Sequence, residues 1–188
     1  MCSDCYDKLD FLPVKTNRVI FNSRVYCAGV YSKELQKMIR GLKYHRQKDL
    51  AYYMAKFMWE YWQKLELEGD FQIVPVPIYP KRKKKRKYNH MDLVAIEFAK
   101  FSGYEVNTEC IKRIKDTKPQ YNLNKNQRLA NLHKAFEVDP TKIFQNKKLL
   151  LIDDICTTGS TFEEMIKEFN KHGIYDITCF TTATPFED

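Results

Sequence analysis

The sequence lacks any apolar run that approaches the roughly 20 residues required by a membrane-spanning helix, so insertion into a membrane is not expected. Its N-terminus lacks the basic-then-apolar order of a secretory signal, so the cytoplasm is the expected location. The six cysteines are irregularly spaced, and Cys156 lies inside a candidate binding loop, which excludes a disulfide framework. Internal repeats are absent, and one basic run is the only low-complexity tract.

The composition predicts one ordinary globular domain with room for a small appendage. The chain has 188 residues, of which 44% are hydrophobic and 14% aromatic, and this is enough to build a core. A formal charge of +8 at pH 7 indicates an anionic partner. Charge alone does not distinguish nucleic acid, pyrophosphate-bearing metabolites and membrane surfaces.

Apolar periodicity predicts an α/β fold in which strands alternate with helices around a mostly parallel sheet. Residues 18–31 alternate loosely and predict a hairpin around Asn22 and Ser23. Helices are predicted from Ser32, over residues 48–67 with a stop at Gly69, from Asn89 to Gly103, and after the 148–161 segment. Strands are predicted at 71–77, 105–111, 149–152 and 177–182.

The most informative segment is KLLLIDDICTTGST at residues 148–161. An apolar run places Asp153 and Asp154 at the end of a buried strand, and a turn of hydroxyl residues with one glycine leads into a helical pattern. Ser160 and Glu163 fit a capping box that would fix the start of this helix. Backbone N–H groups and the positive end of the helix dipole converge at such a turn and favour a phosphate.

The two carboxylates beside this turn would repel a phosphate, so they suit polyol hydroxyls or a hydrated cation instead. A sugar phosphate is the ligand that uses both features. The alternative is an ordinary strand-turn-helix with acidic surface residues. A TTG triplet alone would favour that alternative. The complete order of apolar run, acid pair, hydroxyl-rich turn and helix favours a ligand loop.

A second charged feature is the run KRKKKRK at residues 81–87, which predicts a basic loop. It follows the strand that ends at Pro77, so it emerges at the same carboxyl edge of the sheet as Asp153, where open α/β sheets bind ligands. A solvated charge run and a nuclear signal are the alternatives. Tyr79 and Tyr88 flank the run and could stack on bases, so a single-stranded nucleic acid track is a second use.

Residues 113–137 are polar, basic and too long for an idle connection, which predicts a lid that closes over an anionic leaving group. The cations that could close over the leaving group are Arg113, Lys115, Lys118, Lys125 and Arg128. For the distal half, the preferred interpretation is a surface excursion with a helix at 126–134 packed by Leu129 and Leu132. His90 and His133 show no partner in the sequence, which predicts surface or capping roles.

The 148–161 segment resembles the binding motif of type I phosphoribosyltransferases, which hold 5-phosphoribosyl-1-pyrophosphate. Three further segments resemble the ComF competence-protein family in order and spacing: IVPVPIYPKR at 73–82, RIKDTKPQYNLNKNQRLANLHKAF at 113–136 and YSKELQKMIRGLKYHR at 31–46. That family comprises phosphoribosyltransferase-fold proteins linked to the uptake and handling of transforming DNA. The resemblance covers nearly the whole chain from Tyr31 onward.

The resemblance implies a type I phosphoribosyltransferase fold over residues 18–188, with a small N-terminal hairpin or hood. It implies that Asp153 and Asp154 bind the ribose hydroxyls and that Mg²⁺ reaches them with the ligand. The implied phosphate loop comprises Cys156, Thr157, Thr158, Gly159, Ser160 and Thr161. The implied contacts to pyrophosphate or another anion are Tyr79, Lys81, Arg82, Arg86, Lys87, Lys118 and Arg128.

The family also resembles a zinc-ribbon carrier at its N-terminus, with two C-x-x-C pairs. Residues 1–17 are interpreted as a remnant of that segment, in which Cys2 and Cys5 form the one pair that is present. Structural zinc needs four N or S ligands, so this pair supplies half of a Zn²⁺ site. Cys27 and a histidine could complete it, but the alternating apolar run around Cys27 favours a buried strand residue.

Three functions are carried as hypotheses. The preferred one is a protein that binds phosphoribosyl pyrophosphate with Mg²⁺; phosphoribosyl transfer stays open, because the motif shows no dedicated base and the acceptor is unreadable. The second is a module that handles single-stranded DNA and keeps a vestigial or regulatory sugar-phosphate site. The third is a regulator of expression that senses the metabolite without turnover. The resemblance implies proteins of the competence machinery as partners.

Overall fold

The structure, a computed structural model, describes residues 3–15, 18–116, 132–144 and 146–185. Its helices are α1 (Ser3–Tyr6), α2 (Lys33–Tyr44), α3 (Leu50–Trp62), α4 (Pro80–Arg86), α5 (His90–Ser102) and α6 (Ser160–Asn170), with 3-10 turns at Gln63–Leu65 and Pro140–Lys142. Its strands are β1 (Arg18–Ile20), β2 (Ser23–Val30), β3 (Phe71–Pro75), β4 (Glu105–Val106), β5 (Ile111–Arg113), β6 (Phe136–Val138), β7 (Lys148–Ile155) and β8 (Ile177–Thr184). Within these ranges, no helix has both the length and the apolar character needed to cross a bilayer.

Six strands of the described part of the chain form one sheet in the order β1-β2-β8-β7-β3-β4. The neighbouring strands β2, β8, β7, β3 and β4 pair in parallel. At one edge of the sheet, β1 pairs antiparallel with β2. β5 and β6 form a separate antiparallel pair. The predicted α/β class, with a mostly parallel sheet flanked by helices, is confirmed.

Both faces of the sheet are covered, which explains the continuous apolar run of β7. Leu150 and Ile152 belong to a buried cluster with α2, α3 and α5. Leu149 and Leu151 belong to a second cluster with α6 and the β5-β6 pair. Successive strand residues point to opposite faces, so the side chains of β7 alternate between the two clusters.

Capping side chains fix two of the predicted helix starts. The Ser32 hydroxyl accepts the N–H of Leu35 at 3.4 Å before α2, and the Asn89 side chain accepts the N–H of Met91 at 3.3 Å before α5. Gly103 ends α5 with a left-handed φ of 75°. The helix from Asn89 to Gly103 is therefore confirmed, and so is the N-terminal hairpin formed by β1 and β2.

Two predicted segments have a different conformation. The helix expected over 48–67 ends at Trp62, because a 3-10 turn and a left-handed Glu66 (φ 48°) redirect the chain before Gly69. The basic run at 81–87, expected as a loop, forms most of α4. Pro80 suits the first turn of this helix, and lysine and arginine are good helix formers.

The strand expected at 105–111 is split in two. β4 pairs with β3 in the main sheet, whereas β5 pairs with β6 outside it. Asn107 causes the interruption, since its Oδ1 accepts the N–H groups of Glu109 at 3.0 Å and Cys110 at 2.9 Å. Such a side-chain turn competes with strand pairing and sends the chain away from the sheet.

Candidate functional site

β7 carries the acid pair to the carboxyl edge of the sheet. The strand lies between β3 and β8 and continues to Ile155, so Asp153 and Asp154 both belong to it. Because successive strand residues face opposite sides, Asp153 shares the α6 face with Leu151, and Asp154 shares the α2 and α5 face with Ile152. The two carboxylates therefore have different surroundings.

Asp154 is held in a buried network of charged and polar groups. Its Oδ2 lies 2.6 Å from Nε2 of His90, the first residue of α5, and forms an ion pair with Nζ of Lys43 in the last turn of α2. The Asp154 side chain is 6% exposed. Burial alone would raise the pKa of Asp154, but the charge of Lys43 and the hydrogen bond from His90 hold that pKa far below its ordinary value.

The two partners of Asp154 differ in charge. Burial opposes the charge of Lys43, yet the adjoining carboxylate of Asp154 raises the pKa of Lys43 above its ordinary value. Burial lowers the pKa of His90, and the contact with Asp154 does not reverse that decrease. The network therefore combines a lysine cation, a carboxylate and a neutral imidazole that donates its Nε2–H. Within the described residues, Nδ1 of His90 has no hydrogen-bond partner.

Neither partner of Asp154 was predicted from the sequence. The interpretation of His90 as a surface or capping residue is wrong, because His90 is buried and bonded to Asp154. Lys43 does carry a sequence signal: it follows Leu35 and Ile39 at successive spacings of four, so it falls on the apolar face of α2. His90 carries no comparable signal.

Asp153 borders an opening rather than a core. It is half-buried, and its Oδ1 accepts the backbone N–H of Asp154 at 2.9 Å. Burial first, and then the charge of Asp154, raise the pKa of Asp153 to about 7, while Lys43 and Arg113 oppose that rise. Asp153 is thus the member of the pair whose carboxylate can reach a ligand.

The predicted phosphate loop forms a tight turn between β7 and α6. The N–H of Cys156 donates to the carbonyl of Ala183 at 2.9 Å and ties the loop to β8. The hydroxyl oxygens of Thr158 and Ser160 lie 2.6 Å apart. Gly159 is the N-cap of α6 and takes a left-handed φ of 79°.

The predicted capping box of Ser160 and Glu163 is wrong. Ser160 lies inside α6 with its hydroxyl against that of Thr158, and the Glu163 carboxylate lies 2.8 Å from Nζ of Lys167. The N-cap residue Gly159 has no side chain to cap α6, and the Thr158 hydroxyl accepts the N–H of Ser160 at 3.4 Å. The first-turn N–H groups of a helix have no partner inside it, so they and the helix dipole favour an anion at this turn.

One cleft joins Asp153 to the loop. Its walls are formed by Asp153, Ile155, Cys156, Thr157, Gly159, Ser160, Thr161 and Phe162. Every predicted loop residue except Thr158 therefore lines the same opening as the acid. The cleft has a carboxylate acceptor on one side and a helix N-terminus on the other.

The basic helix α4 stands at the same edge of the sheet, because it follows β3, the parallel neighbour of β7. None of its residues is buried, and Tyr79 occupies its N-cap position. Nζ of Lys81 lies 4.0 Å, and Nε of Arg82 3.9 Å, from the Asp116 carboxylate. Lys87 closes the helix in a left-handed conformation.

An aromatic ring lies beside this basic helix. The guanidinium carbon of Arg86 lies 5.2 Å from the ring centroid of Tyr44, and Tyr44 is 60% exposed. Exposed aromatic rings among cations are the features that single-stranded nucleic acids use. Tyr79 and Tyr88 were the residues predicted to stack on bases, but Tyr88 is buried and its hydroxyl donates to the Leu42 carbonyl at 2.6 Å.

Arg113 on β5 is a buried cation that interacts electrostatically with residues of both α4 and the acid pair. It is 9% exposed, and burial lowers its pKa to about 10. The charge of Arg82 adds to this decrease, whereas Asp153 and Asp116 oppose it. Arg113 is therefore within electrostatic reach of both the basic helix and the cleft.

Several predicted residues fall outside the described part of the chain. They include Lys118 and Arg128, the two remaining anion contacts, and Lys125 and Leu129 of the 113–137 segment. Leu132 is described and is buried in the cluster beneath α6. The lid and the distal helix remain predictions.

The cysteines give the zinc prediction no completed site. Cys2 lies outside the described residues, and Cys5 is exposed in α1. Cys27 is buried on β2, as predicted, and its thiol contacts that of Cys156. Across the described ranges, no group of three or more His, Cys, Asp or Glu side chains is placed to hold a metal ion. The zinc half-site stays a prediction.

A wider groove of about 500 Å³ lies between α3 and α5. It is lined by Lys48, Asp49, Ala51, Tyr52, Tyr53, Leu93, Ile96 and Glu97. None of the predicted site residues lines this groove. Its size alone does not connect it with the acid pair or the phosphate loop.

Comparison with known proteins identifies relatives in competence and DNA utilization. No protein-family model matches the chain. It is 29% identical over 160 residues to competence protein F of Haemophilus influenzae, across 82% of this chain and 70% of that protein. It is 26% identical over 154 residues to DNA utilization protein YhgH of Salmonella typhimurium, across 80% of this chain and 67% of that protein. It is 29% identical over 119 residues to competence protein ComFC of Streptococcus pneumoniae, across 63% of this chain and 50% of that protein. The resemblance to the ComF family is confirmed.

Two solved structures are similar to this chain at low sequence identity. One is the allosteric regulatory enzyme of purine biosynthesis, with a TM-score of 0.49 and 12% identity over 76% of this chain and 29% of that chain. Another is the adenine phosphoribosyl transferase of Trypanosoma brucei in complex with AMP, pyrophosphate and ribose-5-phosphate, with a TM-score of 0.49 and 10% identity over 94% and 86%. At these scores, neither structure assigns a role to a residue of the cleft.

Proposed function

We propose that this protein binds 5-phosphoribosyl-1-pyrophosphate, with the 5′-phosphate on the 156–161 loop and the ribose beside Asp153. One observation carries the proposal: Asp153 and the loop line a single cleft at the carboxyl edge of the sheet. A phosphate alone does not require the acid, and a sugar alone does not require the helix terminus. A sugar phosphate makes use of both.

The turn before α6 supports the phosphate end of this proposal. Gly159 takes a left-handed φ of 79°, which turns the chain tightly into the helix. In the 2.6 Å bond between the Thr158 and Ser160 hydroxyls one donates to the other, which leaves one O–H as a further donor at this turn. A phosphate would accept hydrogen bonds from the N–H groups and from the remaining O–H together.

Asp153 is the acid that we expect to accept hydrogen bonds from the ribose hydroxyls. Asp154 is buried, and its Oδ2 is engaged by Lys43 and His90. We therefore give Asp154 a positioning role, in which it fixes the end of β7 beneath the cleft. This division refines the expectation that both acids bind the ribose.

Magnesium fits this site as an ion that arrives with the ligand. Mg²⁺ in such sites uses one or two carboxylates together with phosphate oxygens and water, and Asp153 offers one carboxylate to the cleft. When bound, the ion would neutralise charge on the pyrophosphate. Arg113 and the exposed cations of α4 would supply the protein's own positive charge at that end.

Binding has more support than turnover. Transfer at the anomeric carbon passes through a cation-like sugar as pyrophosphate departs, so the protein must hold the ribose and stabilise the departing anion. We expect Asp153 to hold the ribose, and Arg113 and α4 to stabilise the anion, but the residues that line the cleft include no dedicated base for an incoming acceptor. We also propose that the chain has the fold of the type I phosphoribosyltransferases and that the protein works in the cytoplasm.

A second candidate function is the binding of single-stranded DNA along α4. The observation that favours it is the exposed Tyr44 ring, over which Arg86 lies, beside a helix that carries cations on nearly every residue. The names of the relatives, competence proteins and a DNA utilization protein, fit this use and suggest partners in the competence machinery.

Calorimetric titration with phosphoribosyl pyrophosphate and Mg²⁺ tests the first function. We expect Asp153→Asn to weaken binding by about 10- to 100-fold, as for the loss of a hydrogen bond to a charged group. Asp176→Asn is the matched control, because Asp176 is exposed and precedes β8 at the opposite edge of the sheet. Equal affinity of wild type and Asp153→Asn would contradict the proposal.

Turnover needs a separate assay. Release of pyrophosphate from phosphoribosyl pyrophosphate is measured across a panel of nucleobases, glutamine and ammonia. Intact binding with no release in any member of the panel would favour a sensor or carrier of the metabolite. Release that depends on one acceptor would establish a transferase and identify its substrate.

A further inference from the structure

We propose that Arg18, on the N-terminal hairpin, is an additional ligand for the phosphate group that the 156–161 loop holds. This inference rests on the proposed function, because it adds a cation to the same site. Its ligand class is a terminal phosphomonoester, as in a sugar 5-phosphate. Neither the sequence motif nor the family resemblance named this residue.

The hairpin of β1 and β2 lies directly against the loop. Cδ1 of Ile20 is 2.7 Å from the position that a Cβ on Gly159 would occupy, which is closer than a real Cβ tolerates. At the hairpin turn, the Phe21 ring centroid lies 5.8 Å from Nζ of Lys167 on α6. The glycine therefore allows the hairpin to pack on the start of α6.

Arg18 is on the face of β1 that meets the loop. Arg18 and Ile20 are half-buried, whereas Val19 between them is 62% exposed, so the strand alternates between an inner and an outer face. Nη1 of Arg18 lies 3.4 Å, and its Cδ 3.7 Å, from the same Cβ position on Gly159. The guanidinium thus stands beside the N-cap of α6.

The charge of Arg18 acts on the loop. The contact with Cys27 and burial raise the pKa of the Cys156 thiol, and Arg18 is the cation that opposes this rise. Among the described residues, no carboxylate forms an ion pair with Arg18. Its positive charge at the loop is therefore not neutralised by a neighbouring acid of the described chain.

A cation at this place is unfavourable for the folded protein alone. The N-terminus of a helix carries partial positive charge, so an arginine beside it is repelled, whereas a bound anion is attracted by both. A phosphate dianion between the guanidinium and the helix would reconcile the two positive groups. Arginine suits this role because its planar fork can donate two hydrogen bonds to phosphate oxygens.

Arg24 provides a matched control on the same hairpin. It pairs with Val19 across the two strands and is exposed, so it lies on the outer face, away from the loop. Arg18→Gln and Arg24→Gln remove the same charge from the two faces of one small element. Arg18→Lys keeps the charge but removes the fork.

The test is calorimetric titration of wild type and the three variants with ribose 5-phosphate and, separately, with magnesium pyrophosphate. We expect Arg18→Gln to weaken ribose 5-phosphate binding by about 10- to 100-fold and Arg18→Lys to weaken it less. Arg24→Gln should keep the wild-type affinity. Pyrophosphate, which lacks the 5′-phosphate, should bind all four proteins equally.

The outcomes separate this inference from the proposed function. Wild-type affinity for ribose 5-phosphate in Arg18→Gln, or equal losses in Arg18→Gln and Arg24→Gln, would overturn the role of Arg18 alone. Failure of wild type to bind either phosphoribosyl pyrophosphate or ribose 5-phosphate would overturn the proposed function and the inference with it. If Arg18→Gln does not fold, wild-type affinity for ribose 5-phosphate in a folded Arg18→Lys would still contradict the role of the Arg18 guanidinium as a phosphate ligand.

Discussion

Two adjacent carboxylates with different environments define this site at the residue scale. Strand geometry turns Asp154 into the interior, where Lys43 and His90 bind its Oδ2, and leaves Asp153 at the cleft. A buried ion pair that loses one partner leaves an uncompensated charge behind, and this costs more than the pair itself contributes. Stability and ligand binding are therefore expected to depend on different members of the pair.

We expect Asp154→Asn to lower the free energy of unfolding by on the order of 3 kcal/mol, because the Lys43 ammonium would keep its burial and lose its counter-charge. Asp153→Asn should have little effect or stabilise the fold, because burial already disfavours the charged form of Asp153. Urea denaturation at neutral pH measures both effects. Similar destabilisation in the two variants would show that the acids share one environment.

A double variant serves as the control for this prediction. Lys43→Met removes the buried cation, so Asp154→Asn should cost much less in a Lys43→Met background than in wild type. A coupling energy near zero would mean that Lys43 and Asp154 do not depend on each other.

We expect Gly159→Ala to destabilise the fold more than Gly173→Ala. Both glycines are left-handed, with φ of 79° and 76°, so alanine should cost roughly 1–2 kcal/mol of conformational strain at either position. A Cβ on Gly159 would also meet Ile20 at 2.7 Å, whereas a Cβ on Gly173 meets nothing within 4 Å. Urea denaturation of the pair measures the difference, and equal destabilisation would mean that the hairpin does not press on the loop.

The basic helix α4 is the feature that matters most at the element scale. Its charge run follows β3, so it stands at the edge of the sheet that also carries the cleft. The charge of the basic run indicated an anionic partner but did not predict a helix, because solvated loops and exposed helices can have the same charged composition. Pro80 at the first turn was the local signal for the helix.

We expect the triple substitution of Lys83, Lys84 and Lys85 by glutamine to weaken single-stranded DNA binding and to reduce its salt dependence. Each DNA phosphate that the variant no longer neutralises should reduce the slope of log affinity against log salt by about 0.7. Binding measured by fluorescence anisotropy across a salt series gives this slope. An unchanged affinity and slope would remove α4 from a DNA interface.

The matched control replaces three exposed lysines elsewhere: Lys100, Lys142 and Lys171. Lys100 lies in the last turn of α5, and Lys171 directly follows α6. Both helices begin at the carboxyl edge, so these two lysines lie at the helix ends opposite the cleft. The control lowers the net charge by the same amount. An equal reduction in slope would show that α4 acts through net charge alone.

Elements with caps or strong alternation were predictable from the sequence. Ser32 and Asn89 marked the starts of α2 and α5, and Gly103 marked an end. The strand at 105–111 was not predictable, because the side-chain turn of Asn107 competes with strand pairing only once Glu109 and Cys110 are in place. The start of α6 was misjudged because the Ser160 hydroxyl bonds to Thr158 instead of capping the helix.

The parallel sheet assembles the site at the scale of the whole molecule. β3 and β7 end at the same edge, and α4, α5 and α6 all begin there, so the basic helix meets the acid pair and the 156–161 loop without being close to them in sequence. The motif at 148–161 predicted the acids and the loop because they are local. The network around Asp154 was not predictable, since His90 lies 64 residues away and only the fold brings it to the carboxylate.

A crystal structure of the protein grown with phosphoribosyl pyrophosphate and Mg²⁺ tests the central claim most directly. It should place the 5′-phosphate within hydrogen-bond distance of the 156–161 loop and a ribose hydroxyl on Asp153, while Asp154 keeps its contacts with Lys43 and His90. A ligand bound elsewhere, or a ribose that leaves Asp153 untouched, would contradict the account.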